Sequence, residues 1–308
     1  MLDRQSLQVV PDSERTSDSP AGAGLVLGAY LRQLRKSQGL RLSDVVNAGI
    51  VGSVPTLSRI ERAATPLREE TVLALARHYG VTDVAKLDVL CTLTRHSRND
   101  DWWSGFRDVV PGWMERLISV EASARTIRTY ELQYIPGLLQ TSAYTRALMQ
   151  AHHKTGMDAA ERERSIERRV EVRANRRKLL AGSSAPQYYA VLDQSILVRR
   201  VGGKAVMREQ LRELYNMEEN REHVHLRVLP FDRGADALAP ASSITYLTFP
   251  SGQTEDVLYL EVPDGGTYVT QPGDIKRYML ALSSLWGLAA SRAETMEILD
   301  QRIGELRD

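Results

Sequence analysis

The sequence predicts an α+β protein in two parts, an all-α segment of short helices followed by a longer region of mixed helix and strand. Three observations carry this. From Leu25 to about Thr94, apolar residues recur at spacings of three and four between glycine and proline breaks, the period of amphipathic helices. Beyond Gly182, short β-branched and aromatic runs stop at Pro230, Pro250 and Pro263, the pattern of strands. Between these parts, His96-Ser-Arg-Asn-Asp-Asp101 is polar and unpatterned, which divides the chain into residues 25–97 and 98–308.

Taken in order, residues 1–24 are rich in Ser, Asp, Pro and Gly, cannot bury apolar area against chain entropy, and read as a disordered tail. In the first helix Leu25, Leu27, Leu31 and Leu34 share a stripe with Arg32, Arg35 and Lys36 between them, and Gly39 ends it. Four more helices fit before residue 97: Leu42 or Ser43 to Ala48, Ser53 to Arg62, Glu69 to Tyr79, and Thr82 to about Thr94. Gly49 and Gly52, Thr65-Pro66 and Gly80 supply the turns between them. In the second part a helix carries Trp113, Leu117, Ile118, Val120 and Ala122, and another runs from Leu138 to Met149. A charged helix begins at Asp158, with Glu161 placed for a capping box. Strands are expected at Tyr188–Leu192, His225–Leu229, Ile244–Phe249 and Val257–Val262, a helix at Met207–Asn220, and one closing helix over Ile275–Arg307.

Composition bounds the chemistry. The chain has 308 residues, 43% of them hydrophobic, with 40 Lys plus Arg against 39 Asp plus Glu and a net charge of +1. A single cysteine, Cys91, excludes an intrachain disulfide and a cysteine-based metal scaffold, and fits a reducing compartment; in the helical pattern it reads as a buried small hydrophobe. Acidic residues and Pro11 interrupt the N-terminus, so it lacks the apolar core of a secretory signal, and the expected location is the cytoplasm. The stretch Tyr278 to Ala290 is too short and too interrupted to span a membrane. The charge balance is an average of unlike parts: residues 25–80 carry +4, residues 161–178 another +4, and the remainder −7.

The locally basic segment holds the feature with a mechanism. Residues 42–62 fit a helix-turn-helix, two short helices around a tight turn whose second helix can enter the major groove of DNA. Leu57 and Ile60 would face the core, which leaves Ser53, Thr56 and Arg59 to reach base edges. Arg59 is the strongest of these, because a guanidinium can bond guanine O6 and N7 together. Arg41, Ser43 and Arg62 flank that helix as phosphate contacts, which fix register. Spacing alone equally allows an ordinary helical hairpin.

The runs Leu27-Gly-Ala-Tyr-Leu-Arg-Gln-Leu-Arg35, Gly39-Leu-Arg-Leu-Ser43 and Thr56-Leu-Ser-Arg-Ile-Glu-Arg62 resemble the xenobiotic-response-element family of Cro- and phage-repressor-like five-helix DNA-binding domains, over residues 25 to 94. That resemblance implies a structural pair between Arg35 and Glu61. Against the family pattern, the segment between the second and third helices is one residue longer and Ala63 replaces a helix-ending glycine. Glu121, Ile135-Pro-Gly-Leu-Leu-Gln-Thr141, Tyr144-Thr-Arg-Ala147, Val191-Leu-Asp-Gln-Ser-Ile-Leu-Val-Arg199, Gln210-Leu-Arg-Glu-Leu214, Arg227-Val-Leu-Pro230 and Tyr259-Leu-Glu261 resemble the C-terminal domain of WhiJ-like actinomycete regulators, with Asp193 where glutamate is more usual. The resemblance implies a regulator of development or secondary metabolism that binds operator DNA and works with a small partner protein in an antitoxin-like arrangement. A homodimer follows from the short half-sites such modules read. The alternative is an antitoxin-type protein whose main task is to sequester that partner, with DNA binding as autoregulation.

Other chemistry is weakly signalled. His152-His153, His223 with His225, and the carboxylates Glu131, Asp193 and Glu261 lack diagnostic metal or catalytic spacings, and no nucleophile elbow, HExxH, P-loop or dinucleotide fingerprint is present, so neither an enzyme nor a cofactor is expected. Trp102, Trp103, Phe106, Trp113, Tyr130 and Tyr134 read as core and interface packing, with a pocket for a small-molecule effector as the alternative. The run Glu161 to Lys178, eight Lys or Arg and four Glu, reads as a solvated helix face, with phosphate contact or an acidic partner as the alternative.

Overall fold

A computed structural model of the chain describes residues 22–62, 65, 67–96, 102–151, 158–182, 184–233, 242–249, 256–262, 265–269 and 272–307. The expected tail up to residue 21, the proposed boundary at 97–101, Ala63 and His152-His153 lie outside the described residues.

The first part is helical: α1 (Gly22–Ser37), α2 (Leu42–Asn47), α3 (Val54–Glu61), α4 (Glu69–His78) and α5 (Val84–His96). Their apolar stripes close on one core of Leu27, Leu31, Val45, Val51, Leu57, Ile60, Leu67, Val72, Leu75, Ala76, Tyr79, Val81 and Leu90. Helix α1 begins at Gly22, three residues before the sequence expectation. It crosses the C-terminal end of α3 at Gly28, where a Cβ would meet the backbone oxygens of Ile60 at 2.8 Å and Glu61 at 2.9 Å. Gly28→Ala therefore forces α1 and α3 apart, and is expected to cost about 1–3 kcal/mol of stability in denaturant melts. Cys91 is partly exposed on α5, contrary to the buried position expected, because its neighbour Leu90 takes the core place.

The second part contains α6 (Gly112–Ala122), β1 (Thr126–Glu131), α7 (Ser142–Ala151), α8 (Ala159–Arg177), β2 (Gln187–Asp193), α9 (Gln194–Val198), α10 (Gly203–Asn220), β3 (Val224–Leu229), β4 (Ile244–Thr248), β5 (Val257–Val262), β6 (Gly265–Val269), α11 (Pro272–Leu288) and α12 (Arg292–Glu305). The strands form one six-stranded sheet in the order β3-β2-β1-β4-β5-β6. The β1/β2 and β2/β3 pairs are parallel, and β4, β5 and β6 continue antiparallel from β1. One sheet face, with Ile127, Tyr188, Ala190, Leu226, Leu247 and Tyr259, joins the core of α7, α10 and α12. The other, with Tyr130, Val191, Ile244, Tyr246 and Leu258, is covered by α11 through Leu282 and Leu285.

Five elements differ from expectation. Strands β1 and β6 and helix α9 were not anticipated, and the helix expected from Leu138 starts only at Ser142. There Thr141 Oγ1 accepts the Tyr144 N–H at 3.2 Å, and Gln210 from α10 accepts the Thr141 N–H at 2.7 Å while donating to the Leu139 carbonyl at 2.9 Å. The closing helix is two helices, broken where Ser291 and Glu294 form a capping box.

A buried polar seam runs between α6, α8 and the sheet. Arg176 donates to both oxygens of Glu121, at 2.6 and 2.7 Å. Burial works against the Arg176 charge, but Glu121 outweighs it and raises the guanidinium pKa. Glu131, at the end of β1, accepts the Ser243 hydroxyl. Burial, together with repulsion from Glu261, pushes its carboxyl up to about 8. Folding thus takes up a proton at Glu131 between the ordinary carboxylate range and pH 8, and stability falls as pH rises across that interval. Glu131→Gln removes the fall: in urea melts it should gain on the wild type by up to about 1.4 kcal/mol per pH unit between about pH 5 and 8.

Part of the basic run of α8 is spent on packing, while Arg162, Arg164, Arg169 and Lys178 stay exposed on its solvent face. Arg168 grips Asp108 with two bonds of 2.7 Å and lies over the Phe106 ring, Arg177 pairs with Glu213, and Glu163 and Glu167 both face Arg146 of α7. The hydrogen bond from Arg168 holds the Asp108 carboxyl below its ordinary pKa.

Candidate nucleic-acid interface

The α2–turn–α3 unit is set by a few residues. Ser53 stands at the N-cap of α3, and its Oγ accepts the Thr56 N–H at 3.3 Å and lies 2.8 Å from Thr56 Oγ1. Pro55 sits in the first turn, where its missing N–H is not needed by the helix. Six residues separate α2 from α3; Gly49 takes a positive φ of 76°, and Val51 drops into the core that Val45 and Leu57 also enter.

Leu57 and Ile60 anchor the inner face of α3. Its C-terminal end is tied to α1 by a bidentate ion pair: Arg35 Nε donates to Glu61 Oε1 at 2.6 Å and its Nη2 to Oε2 at 2.9 Å, with Nη1 on the Leu40 carbonyl at 2.7 Å. Both side chains are nearly sealed, 9% and 4% exposed. The hydrogen bond to Glu61 raises the Arg35 pKa over the opposing effect of burial. The adjacent Tyr79 hydroxyl is buried with no hydrogen-bond partner among the described residues, and burial, then the Glu61 charge, pushes its pKa well up. A phenol kept neutral beside the pair leaves the two charges to each other.

The outer face of α3 carries the residues of interest. Arg59 is exposed, Thr56 is half-buried beside it, and Ser53 is half-buried with its hydroxyl already engaged by Thr56. Arg62 is exposed just past the helix, its Nε on the Ser58 carbonyl at 3.2 Å. Arg41 is exposed ahead of α2, and its backbone N–H donates to Asp44 Oδ2 at 2.7 Å. Ser43 is exposed too, but its hydroxyl lies 3.4 Å from Asp44 Oδ1, a contact it must release to reach a phosphate. The geometry adds Val54, 39% exposed in the first turn of α3. Its spacing of three from Leu57 reads as a core position, but at the helix start the stripe has already turned outward. An apolar group there can meet a thymine methyl.

The other flagged residues take structural places. Asp193 caps α9 by accepting the Ser195 N–H at 2.9 Å. His223 is hydrogen-bonded to the Leu180 carbonyl at 3.0 Å, and His225 stacks on Tyr189 at 4.6 Å. The aromatic group past the boundary disperses: Trp103 is buried with Val109, Val110, Ile118 and Val172, Trp102 packs edge-on against both Trp103 and Phe106, and Tyr130 faces α11 across the sheet from Trp113 and Tyr134.

An inward-anchored second helix with an exposed cationic face, following a short helix and a turn, defines a helix-turn-helix. Residues 26–90 match the family model described as a helix-turn-helix domain. Residues 114–301 match the model of a domain of unknown function, DUF5753, and the chain belongs to that family. Among curated proteins it is similar to the HTH-type transcriptional regulator DdrOP3 of Deinococcus deserti, 48% identical over 52 residues, which are 17% of this chain and 40% of that relative. No solved structure matches. Both the family model and this relative place the likeness in a helix-turn-helix segment. No helix among the described residues is long and apolar enough to cross a membrane.

Proposed function

We propose that the chain is a sequence-specific transcriptional regulator that lays α3 in the major groove of operator DNA. The observation that carries this is the exposed Arg59 on a helix whose inner face and C-terminal end are both fixed, by Leu57 and Ile60 and by the Arg35–Glu61 pair. Arg59, Thr56, Ser53 and Val54 meet base edges, while Arg41, Ser43 and Arg62 hold phosphates. In this reading residues 25–97 are a five-helix DNA-binding domain and residues 98–308 a regulatory domain that supplies dimerisation. The regulator acts in the cytoplasm on development or secondary metabolism and answers to a small partner protein or a small-molecule effector through its C-terminal domain. It is not an enzyme.

The test is a gel shift of the full chain on the DNA upstream of its own coding sequence, across a salt series, against unrelated DNA. Saturable preference for the upstream fragment supports the reading, and equal affinity for both fragments overturns it. In the same series Arg62→Ala should weaken binding evenly on all sequences and reduce the salt slope by about one, as the loss of a single phosphate contact requires.

A further inference from the structure

The sheet face under α11 carries a row of side chains that packing alone does not call for. Across strands β3, β2, β1 and β4, the register places His225, Tyr189, Arg128 and Tyr246 side by side. His225 stacks on Tyr189, and Tyr189 meets Trp286 of α11 edge-on at 5.4 Å. The Arg128 guanidinium lies 5.4 Å from the centre of the Tyr189 ring. Arg128 is exposed, and among the described residues no carboxylate or carbonyl holds its guanidinium. Asp256, the acid that Tyr246 reaches, accepts the Tyr246 hydroxyl.

Beside this row a cleft of about 180 Å³ opens between the sheet and α11, lined by Arg128, Tyr189, Val191, Leu282, Ser283 and Trp286. Its floor is apolar, Val191 and Leu282. One wall is the Trp286 indole, which Arg227 fixes by lying 4.4 Å from the ring centre and donating to the Trp286 carbonyl at 3.0 Å. Exposed Arg128 and Ser283 stand at the mouth. At that volume the cleft falls below the roughly 300–1,000 Å³ of pockets for drug-sized ligands, so its occupant is small.

We propose that this cleft binds a small planar aromatic carboxylate. The carboxylate pairs side-on with the Arg128 guanidinium, whose fork matches it in width and plane. The ring lies on Val191 and Leu282 with its edge and face against Trp286 and Tyr189, in the offset and edge-on geometries that aromatic pairs favour. Arg227, held on Trp286 by its carbonyl bond and ring contact, adds positive potential and rigidity beside the cleft. The proposal deepens the small-molecule arm of the function proposed above, and its assay contains no DNA, so either can fail without the other.

The test is calorimetric titration of the full chain with indole-3-carboxylate, and with indole as the uncharged control. The expected result is saturable binding at one site per chain, at least about ten-fold tighter than indole, and weakened at least about ten-fold by Arg128→Gln. Ser283→Trp, on an exposed helix position, fills the cleft and should abolish binding. Absence of saturable binding into the millimolar range, equal affinity for indole, or wild-type affinity in the folded Arg128→Gln or Ser283→Trp protein would each overturn the proposal. The comparison of the two compounds on the wild type stands even where a variant fails to fold.

Discussion

Glu61→Leu is expected to destabilise the helix-turn-helix region by about 3–5 kcal/mol, because it strands the Arg35 guanidinium in a site where water cannot replace the lost partner. Arg35→Met alone should cost a similar amount by stranding Glu61. Arg35→Met combined with Glu61→Leu should recover most of the loss, since two apolar side chains of similar bulk leave no buried charge behind. Hydrogen exchange of the α1 and α3 amides reads the effect locally, apart from the melting of the C-terminal sheet. A double variant as unstable as Glu61→Leu would mean that the site depends on the charges themselves. The recovered double variant should also bind DNA less well than its stability implies, because apolar packing fixes the angle of α3 less tightly than two parallel hydrogen bonds.

Arg59→Ala is expected to act in the opposite way, leaving the fold intact and removing specificity. Arg59 is exposed and lies off the apolar stripe of α3, so melting should be unchanged within error. A bidentate guanine contact is worth about 1–3 kcal/mol of discrimination, so the preference for operator over unrelated DNA should fall roughly 5- to 150-fold. Loss of affinity on both DNAs alike would make Arg59 a phosphate contact. Arg59→Lys separates the cases further: it keeps the charge, restores a phosphate contact, and does not restore a bidentate base contact.

The helical region was legible because its signals are local. Periodic leucines, Gly39, Gly49 and Gly80, and Ser53 before Val54-Pro55 each act within a few residues. What the sequence hid depended on distant partners. In β1, Thr126-Ile-Arg-Thr-Tyr-Glu131, only Ile127 and Tyr130 are apolar, and they face opposite sides of the sheet, so no alternation shows. Strand β6 opens with Gly265-Gly266, a poor strand signal, yet Gly266 is required: a Cβ there would fall 2.0 Å from the Tyr259 ring on β5. The break between α11 and α12 was readable, since Ser291 and Glu294 have capping-box spacing, but the apolar pattern running through Ala289-Ala290 masked it.

The candidate interface was legible in its residues but not in their engagement. Exposure of Arg59 and burial of Leu57 and Ile60 follow from helical spacing, whereas the Ser53–Thr56 and Ser43–Asp44 contacts follow from cap and turn geometry that spacing does not encode. Val54 was hidden for the same reason: its place in the stripe is inward, its place at the helix start is outward. The Arg128 row escaped entirely, because His225, Tyr189, Arg128 and Tyr246 come from four strands far apart in the chain and meet only through the sheet register.

The central claim is that α3 reads sequence in DNA, and genome-wide mapping of the DNA bound by the full chain tests it most directly, with the Arg59→Ala protein mapped alongside. The account predicts a limited set of sites sharing a short motif with two-fold symmetry, bound by the wild type and lost or blurred in Arg59→Ala. Diffuse binding with no shared motif, or an identical set of sites for the two proteins, would contradict it.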